Sequence, residues 1–103
     1  MTAPVSSPET RVVRAGVATD RNHGAVIPPI YLSSTYAFTG FKEKRTYDYT
    51  RTANPTRDTL GAALAELEEG AGAVVTSTGL AAVLLVVQLL RPGDRLVAPH
   101  DCY

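Results

Sequence analysis

The run from Leu80 to Leu90 is apolar at every position except Gln88, and it limits what this chain can become more than any other feature. It is well short of the ~20 residues that a membrane span needs. A helix that is apolar nearly all round must instead be covered by protein on most sides. Ser77, Thr78 and Gly79 form a turn before it, and Pro92 and Gly93 stop it after Arg91. Ala73 to Thr76 on one side and Arg95 to Ala98 on the other read as short strands. Strand, helix, strand in this spacing predicts an α/β unit, with the central helix buried against a sheet.

At 103 residues the chain has the size of one small domain. Such a domain buries roughly 60 to 70 per cent of its unfolded surface. The apolar residues are unevenly placed, however. Most of the aliphatics lie between Leu60 and Val97, whereas the first half is punctuated by Pro4, Pro8, Pro28, Pro29 and Pro55. Met1 to Pro8 reads as a loose tail without the basic and apolar blocks of a signal peptide. Glu9 to Ala15 reads as a short helix stopped by Gly16. From Gly24 to Tyr49 there is no sustained periodicity, which predicts an irregular arm laid over another domain or subunit. Asn54 is a good N-cap, with Pro55 at the first helical position. Leu60, Ala63, Leu64 and Leu67 then repeat on one face of an amphipathic helix that Gly70 ends. The expected division is an arm over residues 1–53 and the beginning of an α/β domain over residues 54–103.

Ten basic residues balance ten acidic ones. The whole-chain field therefore offers no attraction to nucleic acid or to an anionic membrane, and any anion site must be local. Two places qualify. Tyr49 and Arg51 stand two apart just ahead of the capped helix, and in an extended segment their phenol and guanidinium would point the same way. At the turn before Leu80, the free N–H groups of a helix start favour a phosphate by ~0.3 to 2 kcal/mol. Gly79 there lets the backbone approach an oxyanion closely. The turn is not a Walker loop, because the glycine-rich pattern ending in Lys and Ser or Thr is absent. His23 and His100 are far apart in sequence and no metal-ligand spacing exists. Cys102 is the only cysteine, which excludes an intrachain disulfide and fits a reducing, cytoplasmic setting. It lacks the surroundings of an activated thiolate and reads as buried or incidental. Glu66, Glu68 and Glu69 are a solvated helix face.

Four segments together resemble the Cys/Met-metabolism family of pyridoxal-phosphate enzymes, in the same order and with similar gaps. They are Pro28, Pro29, Ile30 with Ser34, Thr35, Tyr36; Tyr49 to Arg57; Thr78, Gly79, Leu80; and Pro99 to Tyr103. The resemblance implies a fold type I transferase with pyridoxal 5'-phosphate as cofactor. It implies that Tyr49 and Arg51 reach the cofactor phosphate of a partner subunit, while the amides of Gly79 and Leu80 hold the phosphate within the subunit. Tyr103, by the same resemblance, stacks on the pyridine ring and is the catalytic residue of this stretch. The ending Pro99 to Tyr103 and the stretch Phe38 to Phe41 are most similar to the branch that joins O-succinylhomoserine to cysteine in a homotetrameric enzyme. Related lyases and homoserine sulfhydrylases remain alternatives, as do a non-catalytic interaction fragment and a small phosphate-binding module.

In that family a lysine carries the cofactor, and the lysines here, Lys42 and Lys44, lie upstream of the signature in a polar loop. The chain thus reads as the N-terminal portion of such an enzyme, inactive by itself. The resemblance also places the two expected strands at distant positions of a larger sheet.

Overall fold

A computed structural model describes residues 6–102, and three helices carry its regular structure: α1 (Pro8–Arg14), α2 (Pro55–Leu67) and α3 (Gly79–Val87). The chain divides into two compact units, one running to Ala73 and one from Val74. The compositional boundary at residues 53 and 54 falls inside the first of them.

In the first unit α2 begins where its sequence says it must. Asn54 has extended backbone angles, its Oδ1 accepts from the Thr56 N–H at 2.8 Å, and Pro55 occupies the first helical position. Its end is less direct. Glu68 is the C-cap, and the left-handed residue that follows is Glu69, at φ +53, rather than Gly70. The Gly70 N–H reaches the Ala65 carbonyl at 2.8 Å and the Glu69 N–H reaches that of Glu66 at 3.4 Å, the paired bonds of a Schellman motif. Gly70 is thus one residue beyond the position where a glycine would relieve strain.

Helix α1 starts one residue earlier than Glu9, because Ser7 caps it and Pro8 takes the first turn. It packs on α2 through Arg11, whose Nη1 donates to the Glu66 carbonyl at 3.2 Å. That carbonyl lies in the last turn, where no residue four ahead continues the helix, and it is shared with the Glu69 N–H. Gly16 turns the chain at φ +72 and lies so close to Thr59 and Pro28 that a Cβ would meet their side chains at 2.9 and 3.1 Å. Only glycine satisfies both conditions.

The arm is ordered by a few specific bonds instead of a sheet. The Tyr36 N–H donates to the Asp48 carbonyl at 3.0 Å, and the Thr50 N–H to that of Ser34 at 2.9 Å. They flank an isolated antiparallel bridge between Thr35 and Tyr49. A second bridge joins Gly40 and Glu43 around Lys42, which sits at φ +63.

In the second unit α3 ends at Val87, earlier than the expected Arg91. The Leu89 and Leu90 N–H groups bond three residues back, to Val86 and Val87, which tightens and closes the last turn. Pro92 disfavours helical angles at Arg91. The Asp94 carboxylate then accepts from the Arg91 N–H at 2.7 Å, and Gly93 turns at φ +101.

The expected strands are absent: residues 73–76 and 95–98 carry no ladder, and there is no sheet among the described residues. The physical reason is that a strand exists only through a neighbour that accepts and donates along it. Neither segment has one among the described residues. The same lack appears in the packing. Among the described residues no apolar side chain is buried, and Leu80, Val83, Leu84, Val86 and Leu89 of the α3 segment are all more than half exposed. Apolar surface of this extent drives association. Expressed alone, the 103-residue polypeptide should self-associate and melt without a sharp transition. Sedimentation and thermal denaturation test this, and a monomer with a cooperative melt would contradict it.

Candidate functional site

Among the described residues, Asn54 is the one buried polar side chain, at 7% exposure. It does more than cap a helix. While Oδ1 serves the Thr56 N–H, Nδ2 lies 2.7 Å from Thr50 Oγ1, 3.1 Å from the Tyr31 carbonyl and 3.2 Å from the Tyr36 hydroxyl. Two amide hydrogens thus face three acceptors. Thr56 closes the set, its Oγ1 accepting from the Tyr31 N–H at 2.9 Å. Two stretches of the arm and the start of α2 therefore share one side-chain amide.

Tyr49 and Arg51 lie on either side of the Thr50 held in this way. Arg51 Nη2 donates to the Tyr49 hydroxyl at 3.1 Å, and its guanidinium carbon is 5.1 Å from the centre of the ring. The expected pairing is present, but its geometry is not the expected one. The chain leaves the Thr35–Tyr49 bridge and turns at once, with the Thr52 and Ala53 N–H groups both donating to the Tyr49 carbonyl, at 3.0 and 3.2 Å. The two side chains converge because the backbone curls, not because it is extended. Arg57 Nη2 donates to the Arg51 carbonyl at 3.5 Å from the first turn of α2.

The charge around the pair is arranged so that Arg51 has no acidic partner among the described residues. The nearest acid in sequence, Asp48, is occupied. It accepts from the Lys44 ammonium, from the Thr52 hydroxyl at 3.1 Å and from the Tyr49 N–H at 2.8 Å. The Lys44 hydrogen bond is the largest influence holding its carboxyl below the ordinary aspartate value, with the Thr52 hydroxyl adding to it against some desolvation. An exposed guanidinium with unused donors beside a phenol is suited to an incoming anion.

The second unit presents the exposed start of α3. Thr78 caps α3, with Oγ1 accepting from the Ala81 N–H at 3.1 Å. The N–H groups of Gly79 and Leu80 have no acceptor among the described residues. A Cβ placed on Gly79 would meet nothing within 4 Å, and its φ is not positive. Its missing side chain leaves room in front of the helix start instead of permitting a special turn. Free backbone donors with a helix dipole behind them suit an incoming anion.

Tyr103, the expected ring-stacking residue, lies outside the described residues. Cys102 is exposed, not buried. Among the described residues no group of three or more His, Cys, Asp or Glu is placed to hold a metal ion, and no helix is long and apolar enough to cross a membrane. An open depression of about 770 Å³ in the first unit is lined by Asp20, Arg21, Tyr31, Tyr47, Asp58 and Glu66 among others, and includes neither Tyr49 nor Arg51. Its carboxylates make it a poor seat for an anion.

Sequence reasoning missed the amide donors of Asn54 and the Lys44–Asp48–Thr52 cluster. A signal for the first existed, since an N-cap uses only the side-chain oxygen and a buried asparagine must also satisfy its nitrogen.

Residues 9–103 match the model of the family described as "Cys/Met metabolism PLP-dependent enzyme". Cystathionine gamma-synthase of Escherichia coli is 61% identical over 95 residues, covering 91% of this chain and 25% of its own length. Cystathionine beta-lyase of Lactococcus lactis subsp. cremoris is 39% identical over 99 residues, covering 96% of this chain and 26% of its own. The crystal structure of cystathionine gamma synthase from Xanthomonas oryzae pv. oryzae in complex with aminoacrylate and cysteine superimposes with a TM-score of 0.85 at 60% identity. It covers 95% of this chain and 26% of that one. The chain thus spans about a quarter of the length of the relatives it matches.

A depressed carboxyl stabilises the fold above the ordinary aspartate pKa, and that stabilisation is lost as pH falls through the depressed value. Consider a chimera in which this chain replaces the matching quarter of the Escherichia coli relative. Asp48→Asn should lower its urea midpoint near neutral pH, and the gap from the unsubstituted chimera should close as the medium is acidified below the ordinary aspartate range. A gap that stays constant through that range would show that Asp48 does not tie down the turn.

Proposed function

Because the chain belongs to the Cys/Met-metabolism family of pyridoxal-phosphate-dependent enzymes, we propose that it is the phosphate-holding portion of a cystathionine gamma-synthase. The reaction is replacement of the acyl group of an O-acylhomoserine, O-succinylhomoserine in this reading, by cysteine, giving cystathionine and the free acid. The observation that carries it is the Arg51–Tyr49 pair, a guanidinium without an acidic neighbour braced on a phenol. The 61% identity to the synthase against 39% to the beta-lyase supports gamma-replacement over cleavage.

The division of labour follows from what each residue can donate. Arg51 offers charge and a two-pronged donor to a dianionic phosphate, while Tyr49 orients it and adds one neutral hydroxyl. The Gly79 and Leu80 amides give two further donors on a helix dipole. Following the family resemblance, the Tyr49–Arg51 turn serves the phosphate of a partner subunit, and the start of α3 serves the phosphate held by its own. The same resemblance assigns Tyr103 to stacking on the pyridine ring, where an aromatic gains from an electron-poor partner. When bound, pyridoxal phosphate supplies the electron sink that the exchange at the γ-carbon requires. The lysine that carries it lies in the part of the enzyme that this quarter does not represent. Residues 1–53 act as the inter-subunit arm and residues 54–103 open the cofactor-binding domain of a cytoplasmic homotetramer.

In the chimera, Tyr49→Phe should weaken cofactor binding by about 0.5 to 1.5 kcal/mol and Arg51→Ala by more, because a charged donor is lost. Equilibrium dialysis against pyridoxal phosphate measures both. Mixing Arg51→Ala subunits with subunits lacking the cofactor-carrying lysine should restore part of the activity, since one intact site then forms across the interface. Failure of every mixture to complement would refute the shared site, and faster cleavage than synthesis of cystathionine would move the assignment to a lyase.

A further inference from the structure

Thr50 stands between the two side chains of the phosphate arm and is fixed at two points. Its N–H donates to the Ser34 carbonyl at 2.9 Å, and its Oγ1 accepts from Asn54 Nδ2 at 2.7 Å, the shortest of the amide's contacts. The residues on either side of it, Tyr49 and Arg51, are exposed, and apart from each other their side chains have no hydrogen-bond partner among the described residues. A side chain as long as arginine, in a turn at the surface, would otherwise sample many rotamers and lose that freedom on binding an anion. Asn54 is itself fixed, because its oxygen is committed to the first turn of α2 and the side chain is buried. Movement at the start of α2 and orientation of the arm are thereby linked through one amide.

We propose that Asn54, acting through Thr50 Oγ1, is a positioning residue for Arg51. It sets the direction in which the guanidinium is presented and so determines how tightly the arm grips a phosphate. This rests on the reading of Arg51 as a phosphate ligand, and it adds a residue that touches neither phosphate nor substrate.

The structure also shows how to break the link without unfolding the site. Thr50→Val keeps the shape of the side chain and removes the acceptor. Asn54 Nδ2 then still has the Tyr31 carbonyl and the Tyr36 hydroxyl, two acceptors for two hydrogens, so no buried donor is orphaned. Thr50→Ser restores the acceptor.

The test is the dissociation constant of pyridoxal phosphate for the apo chimera, measured by equilibrium dialysis for the unsubstituted form, Thr50→Val, Thr50→Ser, Arg51→Ala and the double variant Thr50→Val with Arg51→Ala. Thr50→Val should weaken binding about two- to tenfold, as expected for one lost hydrogen bond. Thr50→Ser should recover most of it. In the Arg51→Ala background the Thr50→Val effect should vanish, because the residue being positioned is gone. An equal effect of Thr50→Val with and without Arg51 would overturn the positioning role while leaving Arg51 as a ligand. Unchanged affinity in Arg51→Ala alone would instead overturn the phosphate reading and the proposal with it.

Discussion

The side-chain amide of Asn54 is the interaction on which the joining of the arm to the start of α2 depends. Its oxygen starts α2, and its nitrogen reaches the main chain at Tyr31, the phenol of Tyr36 and the hydroxyl of Thr50. Without it the helix would lose its cap, and the arm would be tied to the start of α2 by the Tyr31 N–H bond to Thr56 Oγ1 and within itself by the bonds around its two bridges. A buried amide has four hydrogen-bonding positions, and leaving any of them unmatched is costly. That cost makes the geometry specific, which an apolar contact at the same place would not.

Specific polar bonds and unsatisfied apolar surface divide this molecule between them. The first unit is organised by hydrogen bonds at Asn54, at Asp48 and at the Arg11 contact with the end of α2. The second consists of an apolar helix and flanking segments, with no buried apolar side chain among the described residues. Local bonds can set the angles of a turn or the start of a helix. They cannot supply the area burial that stabilises a domain, because that needs several layers in contact. The Tyr49–Arg51 pair and the free amides of α3 belong to the local class, which is why the Arg51 turn and the α3 start are formed while no apolar packing around α3 is seen among the described residues.

The same division explains what could be read from the residues. Helix α2 was legible because Asn54, Pro55 and the leucine spacing act within one turn of each other. The pairing of Tyr49 with Arg51 was legible as residue types, but the curl that creates it depends on bonds to the Tyr49 carbonyl that no periodicity reports. Gly70 marks the end of α2 in the sequence, yet Glu69 takes the left-handed position because the closing bonds run from residues 69 and 70. Ala73 to Thr76 and Arg95 to Ala98 have strand-like composition, yet composition describes faces and burial, and a ladder requires a partner. The second role of Asn54 escaped because its acceptors are 18 and 23 residues away as well as four.

On the proposed function, this chain holds an anion with donors that its own fold leaves unoccupied, among them the amides that open α3. A single backbone donor can be deleted there. Proline is tolerated at the first helical position, and Thr78 before it is already extended, so Gly79→Pro deletes a donor that Gly79→Ala retains. In the chimera, the cofactor dissociation constant should rise several-fold for Gly79→Pro relative to Gly79→Ala, about the size expected for one hydrogen bond to a charged group. Equal constants for the two variants would mean that the opening of α3 does not hold the phosphate.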